Sequence, residues 1–238
     1  MGPLHRLAPE YKVAATVAFV FAVVATPREA IWAFAVDALL VMAVASVGRV
    51  PLAHLLQRLT VEVPFLLFAV FLPFVGPPPD VEVLGVALSE EGLWGAWGIV
   101  VKASLGLLAT ALLASTTSVP DILSGLERLR VPSVLVAITA FMIRYGDVLT
   151  DELRRMRIAR ESRADDPRWI WQARAVASTA GTLFVRSYER GERVHQAMLA
   201  RGYLGAVPHA ARAHSGGVIC FVPALVATAT ALLAWAIR

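Results

Sequence analysis

The sequence predicts an all-α integral membrane protein with about five transmembrane helices and a cytoplasmic region of long amphipathic helices. Three observations predict it. Hydrophobic residues make up 58% of the 238 positions and the mean hydropathy is +0.66, more apolar surface than a soluble core needs. Four largely apolar runs, Val13 to Ala25, Ile31 to Val47, Val61 to Val75 and Leu93 to Ala114, follow one another with short polar or proline-bearing breaks, as membrane spans do. A fifth run covers Val218 to Ile237, and 15 of the 22 Lys and Arg residues fall between Ser118 and Gly217.

The first run starts after Lys12, lacks a small-residue cleavage site and is followed at once by the second, so it is expected to stay in the protein rather than be removed as a signal peptide. Orientation follows from the basic residues at span ends. Arg6 and Lys12 precede the first run and Arg49 and Arg58 follow the second, whereas Pro77 to Gly92 holds Asp80, Glu82, Glu90 and Glu91 with no basic residue. The N-terminus is therefore expected inside, and four crossings return the chain to the cytoplasm near Ser118. Of the acidic residues in these runs, Glu62 is expected to make an interhelical polar contact near a span end, and Asp37 to pair with Lys102.

The basic stretch reads as three helical pieces. Pro120 to Arg130 has a start signal in Ser118 or Asp121 and a stop at Val131-Pro132, because the residue before proline disfavours helix. Val131 to Leu149 is apolar enough to resemble a further crossing, but Arg144 and Asp147 lie within it, and charges at membrane depth are costly. Its apolar positions Leu135, Ile138, Met142, Tyr145, Leu149, Leu153 and Met156 continue at helical spacing past its end, which predicts an amphipathic helix lying against the membrane. Arg144, Asp147, Asp151 and Arg155 on the other face are spaced to form ion pairs. Trp169 to Arg201 forms the third piece, with Glu189 facing Arg193, and reaches roughly 50 Å as one helix. The predicted organisation is a membrane domain at 1–118 with four spans, cytoplasmic helices at 119–217, and a last span at 218–238.

Several chemistries lack the residues they need. Cys220 is the only cysteine, which leaves neither a disulfide framework nor a multi-cysteine metal site. His5, His54, His195, His209 and His214 form no close pair on one helical turn, so no metal site is expected. Ser215-Gly216-Gly217 lacks the lysine of a phosphate-binding loop, and the only lysines, Lys12 and Lys102, stand outside glycine-rich turns; ATP hydrolysis would have to come from partners. No nucleophile elbow or intramembrane carboxylate cluster is present, so no catalytic residue is expected and no enzyme.

Two segments near long-helix ends look alike, Met156-Arg157-Ile158-Ala159-Arg160-Glu161 and Met198-Leu199-Ala200-Arg201-Gly202-Tyr203. An arginine beside small residues can enter a groove of another protein and pair two-pronged with a carboxylate there; from pattern alone a basic cytoplasmic surface is the favoured reading of these arginines. The segments Thr116 to Leu123, Leu129 to Pro132, Arg144-Tyr145, Asp151 to Arg157, Leu183 to Arg190 and Ala197 to Tyr203, with His5-Arg6-Leu7 ahead of the first run, resemble the transmembrane T component of energy-coupling factor (ECF) transporters. The closing segment most resembles the cobalt-type branch, CbiQ.

That resemblance implies a prokaryotic plasma-membrane subunit with its N-terminus and coupling helices cytoplasmic. It implies two ATP-binding cassette ATPase subunits as partners, which hold ATP and magnesium while this chain binds no cofactor itself. It implies ATPase docking through Ala159, Arg160 and Glu161 and through Ala200, Arg201 and Gly202, with Glu161 standing where the family has glycine. It further implies a separate substrate-binding membrane S component, of cobalt or nickel type, received by the apolar stripe from Leu135 to Met156. A vitamin-type T component and a membrane scaffold or enzyme subunit without transport activity are the alternative readings. The remaining partner is the lipid bilayer, not nucleic acid.

Overall fold

Apolar length and proline position dictate most of the elements. The computed structural model describes residues 7–75, 80–83, 86–163, 173–203 and 218–237. They form α1 Pro9–Ala25, α2 Ile31–Gly48, α3 Leu52–Arg58, α4 Val63–Val75, α5 Glu90–Thr116, α6 Val119–Arg128, α7 Ser133–Glu161, α8 Ala173–Ala200 and α9 Phe221–Ala236, with one hairpin of β1 Asp80–Val83 and β2 Val86–Ser89. Each expected span lies in a helix, and the chain is an all-α membrane protein whose only described sheet is that hairpin.

Several elements start earlier than their apolar runs. In α1 the first turn begins at Pro9, where a missing N–H leaves nothing unsatisfied. The third run extends backwards through a 3-10 turn at Leu59–Glu62 into α3; Pro64 has no N–H and its ring crowds the carbonyl four residues earlier, so the helix tightens there. Within Pro77 to Gly92, where a loop was expected, Asp80 pairs with Ser89 and Val83 with Val86 in antiparallel register. Ser89 then caps α5, its hydroxyl accepting from the Gly92 amide at 3.3 Å, and Glu90 and Glu91 occupy the first turn, where the helix dipole favours carboxylates.

By length and apolar composition, α2, the stretch Ala53–Phe74, α5 and α7 can each cross a membrane. Helices α1 and α9 are shorter, at 17 and 16 residues. The described residues form two compact units, Met1–Leu129 with Ala211–Arg238, and Arg130–Ala210.

The core of the first unit gathers Phe19 and Val23 of α1, Phe34 and Val41 of α2, and Leu105 and Leu112 of α5. Ala227 of α9 and Ala33 of α2 are wholly buried, small residues that let helix backbones approach closely. Helix α6 lies against the start of α1: a Cβ on Gly125 would stand 3.0 Å from the Pro9 and Glu10 backbone, and Arg128 pairs with Glu10 at 3.0 Å. Ser118 is the helix-start residue, accepting from the Asp121 amide, and α6 stops where Arg130 turns left-handed, at φ 64°.

Polar groups in this unit serve helix ends. Lys12 Nζ donates to Thr116 O at 3.3 Å and to Thr117 Oγ1 at 3.4 Å, and Trp235 Nε1 donates to Ala25 O at 2.9 Å. The expected Asp37–Lys102 pair does not form; Lys102 Nζ donates to Val24 O at 2.7 Å. Val24 belongs to the last turn of α1, whose carbonyls have no intrahelical partner, so the ammonium closes a helix end rather than meeting a carboxylate. Asp37 is fully buried and neither of its oxygens meets a donor among the described residues; the neighbouring Thr230 hydroxyl donates to Ala227 O. Glu62 makes the expected interhelical contact, accepting from Ser104 Oγ at 2.8 Å.

Candidate functional site

The second unit is built of two long helices. α7 runs 29 residues and α8 at least 28, roughly 42–44 Å each at 1.5 Å per residue; the expected start of the third piece at Trp169 lies outside the described residues. The helices are tied together by Glu152, whose Oε1 accepts from Arg186 of α8 at 2.6 Å and whose Oε2 accepts from Arg155 at 3.2 Å. Hydrogen bonds from those two guanidinium groups hold the Glu152 carboxyl below its ordinary range. Arg155 thus pairs with Glu152 and not with Asp151, and no ion pair joins Arg144 to Asp147 among the described residues. Glu189 and Arg193 stand 3.9 Å apart.

Both Ala-Arg segments lie at helix C-termini, and the two ends are closed differently. α8 ends at Ala200, and Gly202 takes φ 82°. The Gly202 amide donates to Leu199 O and the Tyr203 amide to Met198 O, both at 3.0 Å. This is the Schellman arrangement, which satisfies carbonyls the helix leaves open and needs a residue tolerant of left-handed backbone. Arg201, the residue just before the turn, is exposed.

α7 has no such turn. Its helix continues through Glu161, and the Ser162 amide donates to Ile158 O at 2.9 Å while its hydroxyl donates to Ala159 O at 3.0 Å. Glu161 accepts from Arg157 Nε at 2.7 Å, one helical turn back. The carboxylate is thereby engaged along its own helix. Arg160 is half-buried, with Ala159 and Glu161 exposed on either side.

The apolar stripe of α7 divides by exposure. Leu135, Ile138, Met142 and Leu153 are exposed, Met142 at 69%. Tyr145, Leu149 and Met156 are half-buried, and the Tyr145 ring stacks on Phe141, 6.2 Å between centroids. α8 also carries uncovered apolar side chains, Phe184 at 70% and Tyr188 at 68%. Both helices thus carry large apolar side chains uncovered among the described residues. Phe184 and Tyr188, four residues apart, stand on one face of α8.

Of the five histidines, His5, His209 and His214 lie outside the described residues. Among those described, no three His, Cys, Asp or Glu side chains gather in a metal-ligating group.

Residues 2–211 match the family model described as cobalt transport protein, CbiQ. An uncharacterized protein of Methanocaldococcus jannaschii is 29% identical over 69% of this chain and 60% of its own length. The cobalt transport protein CbiQ of Rhodobacter capsulatus is 32% identical over 58% of this chain and 54% of its own length. The energy-coupling factor transporter transmembrane protein EcfT of Heliobacterium modesticaldum is 28% identical over 86% of this chain and 81% of its own. The chain thus spans 54–60% of the length of the first two relatives.

Proposed function

The chain belongs to the CbiQ family of cobalt transport proteins, and on that premise we propose that it is the energy-coupling membrane subunit of an ECF-type importer. Two cytoplasmic ATPase subunits bind and hydrolyse ATP, this chain transmits their closure, and a separate membrane subunit captures the cargo. The cargo is cobalt or nickel; the EcfT relatives at 86% coverage of this chain keep other cargoes of ECF transporters as the second reading.

In the proposed topology α7 lies at the cytoplasmic face. Arg144 and Asp147 are both exposed in its middle third, where a spanning helix would hold unpaired charges in hydrocarbon, and at Glu152 it is tied to α8 by the Arg186 pair. The observation that carries the mechanism is the pair of helix ends bearing Arg160 and Arg201. Each is the last turn of a long helix, so a force applied there moves the whole element rather than a loop.

A guanidinium fits a carboxylate in two prongs and fixes the angle of contact as well as the distance. When the ATPases close, the two ends move, and the exposed apolar side chains of α7 carry the displacement to the capture subunit seated on them. Leu135, Ile138, Met142 and Leu153 would be desolvated by that subunit, at roughly 1.5–3 kcal/mol for each side chain fully buried.

Copurification tests this. The wild-type chain should bring down an ATPase pair, and Arg160→Ala with Arg201→Ala should lose it while still inserting into the membrane. A scaffold or enzyme subunit would retain its partners regardless of those arginines, and unchanged association would remove both from the mechanism.

A further inference from the structure

A cavity of about 600 Å³ lies in the first unit, at one end of the helix cluster. It is bounded by the start of α1, the end of α2, the end of α5 and the start of α9, so it occupies a single level of the membrane domain. Its volume falls in the range of roughly 300–1,000 Å³ typical of ligand sites, and its wall is almost wholly apolar. Phe19, Val44, Leu112 and Val222 are representative of it.

Two features say what fills it. The rim residues Val47, Ile219 and Val222 are 51%, 69% and 51% exposed, which puts the mouth on the outside of the cluster, where a membrane protein meets acyl chains. One charged group, Lys12, lines the cavity. Its ammonium carries three N–H donors, and two are directed to Thr116 O and Thr117 Oγ1. Among the described residues that leaves one donor, on a cation placed by the end of α5. Tyr11, half in contact with Phe221 edge-on, stands beside Lys12 at the same level, the position in which tyrosines mark a headgroup boundary.

We propose that this cavity is a phospholipid site, taking one acyl chain of an anionic lipid against the α1, α2, α5 and α9 walls and its phosphate on Lys12. A phosphate oxygen supplies the acceptor for the remaining N–H, and the net negative headgroup complements the ammonium. The occupant comes from the leaflet on the side of Arg49 and Arg58, where basic residues favour anionic headgroups.

Native mass spectrometry of the full chain, extracted from vesicles of equal phosphatidylglycerol and phosphatidylcholine, reads this directly. The wild type should retain one lipid, with phosphatidylglycerol favoured about fivefold, the effect of one basic residue near an anionic surface. Lys12→Gln should lose that preference and Lys12→Arg keep it. Ala43→Phe narrows the mouth at an exposed position and should reduce retention of both lipids. If Lys12→Gln does not fold, Ala43→Phe decides. Retention of the two lipids in equal amounts by the wild type, no retained lipid because the chain's own residues fill the space, or unchanged retention in Ala43→Phe overturns the proposal.

Discussion

The end of α7 and the end of α8 present the same Ala-Arg pair by unlike means. At α8 the backbone itself closes the helix, with Gly202 at φ 82° and two reversed amides. At α7 the helix runs out without a left-handed residue, the Ser162 amide on Ile158 O, and side chains add to it, Ser162 Oγ on Ala159 O and Arg157 on Glu161. A backbone turn is insensitive to salt and sensitive to the residue placed in it; an exposed charge pair is screened by salt and contributes little to stability. One end therefore depends on a left-handed glycine and the other carries an exposed charge pair beside its arginine, and the two ends should fail under different perturbations.

The largest effect is expected when both arginines are removed. If each enters a desolvated pocket, losing one partner of such a pair costs about 2–5 kcal/mol, so Arg160→Ala/Arg201→Ala should weaken ATPase association at least roughly thirtyfold in a binding titration. Next comes Gly202→Val, which forces a β-branched residue into left-handed backbone at about 1–2 kcal/mol. It should loosen the α8 end, seen as faster amide exchange at Tyr203, and leave the α7 end unaltered. A Gly202→Val protein with unchanged exchange would remove the contrast between the two ends.

The tie between the helices comes third. The Glu152 carboxyl is held below its ordinary value by Arg186 and Arg155. A group whose folded pKa is depressed stabilises above its unfolded value and loses that contribution as pH falls through the folded one. Spin-label distances between α7 and α8, in a Cys220→Ser background, should stay constant from pH 7 to the ordinary glutamate value of 4.5 and broaden only below it, whereas Glu152→Gln should broaden them at every pH. The smallest effect belongs to Glu161→Gln. An exposed pair one turn apart contributes about 0.3–0.5 kcal/mol, so stability should barely change, while the salt dependence of amide exchange at Ser162 should disappear.

Much of this architecture was legible in the residues. The five apolar runs all fall in helical elements, and Ser118 and Val131-Pro132 bracket α6 as their local chemistry requires. The hairpin at 80–89 escaped notice because the segment reads as acidic and its apolar alternation, Val81, Val83, Val86 and Leu88, is short. Asp37 and Lys102 were matched by charge, but lysine donates as readily to an open helix carbonyl, and sequence gives no sign of which helix end a distant ammonium will meet. Arg160 and Arg201 were singled out by the family resemblance rather than by pattern; that Glu161 is engaged by Arg157 depended on the i−4 arginine, visible in the sequence and read there only as surface charge.

The most direct test of the coupling account is ATP-dependent uptake of cobalt and nickel into vesicles holding this chain, its ATPases and its capture subunit. Uptake should occur with the wild type and be lost in Arg160→Ala/Arg201→Ala although the variant inserts normally. Equal uptake by the two would contradict the claim that these helix ends carry the force.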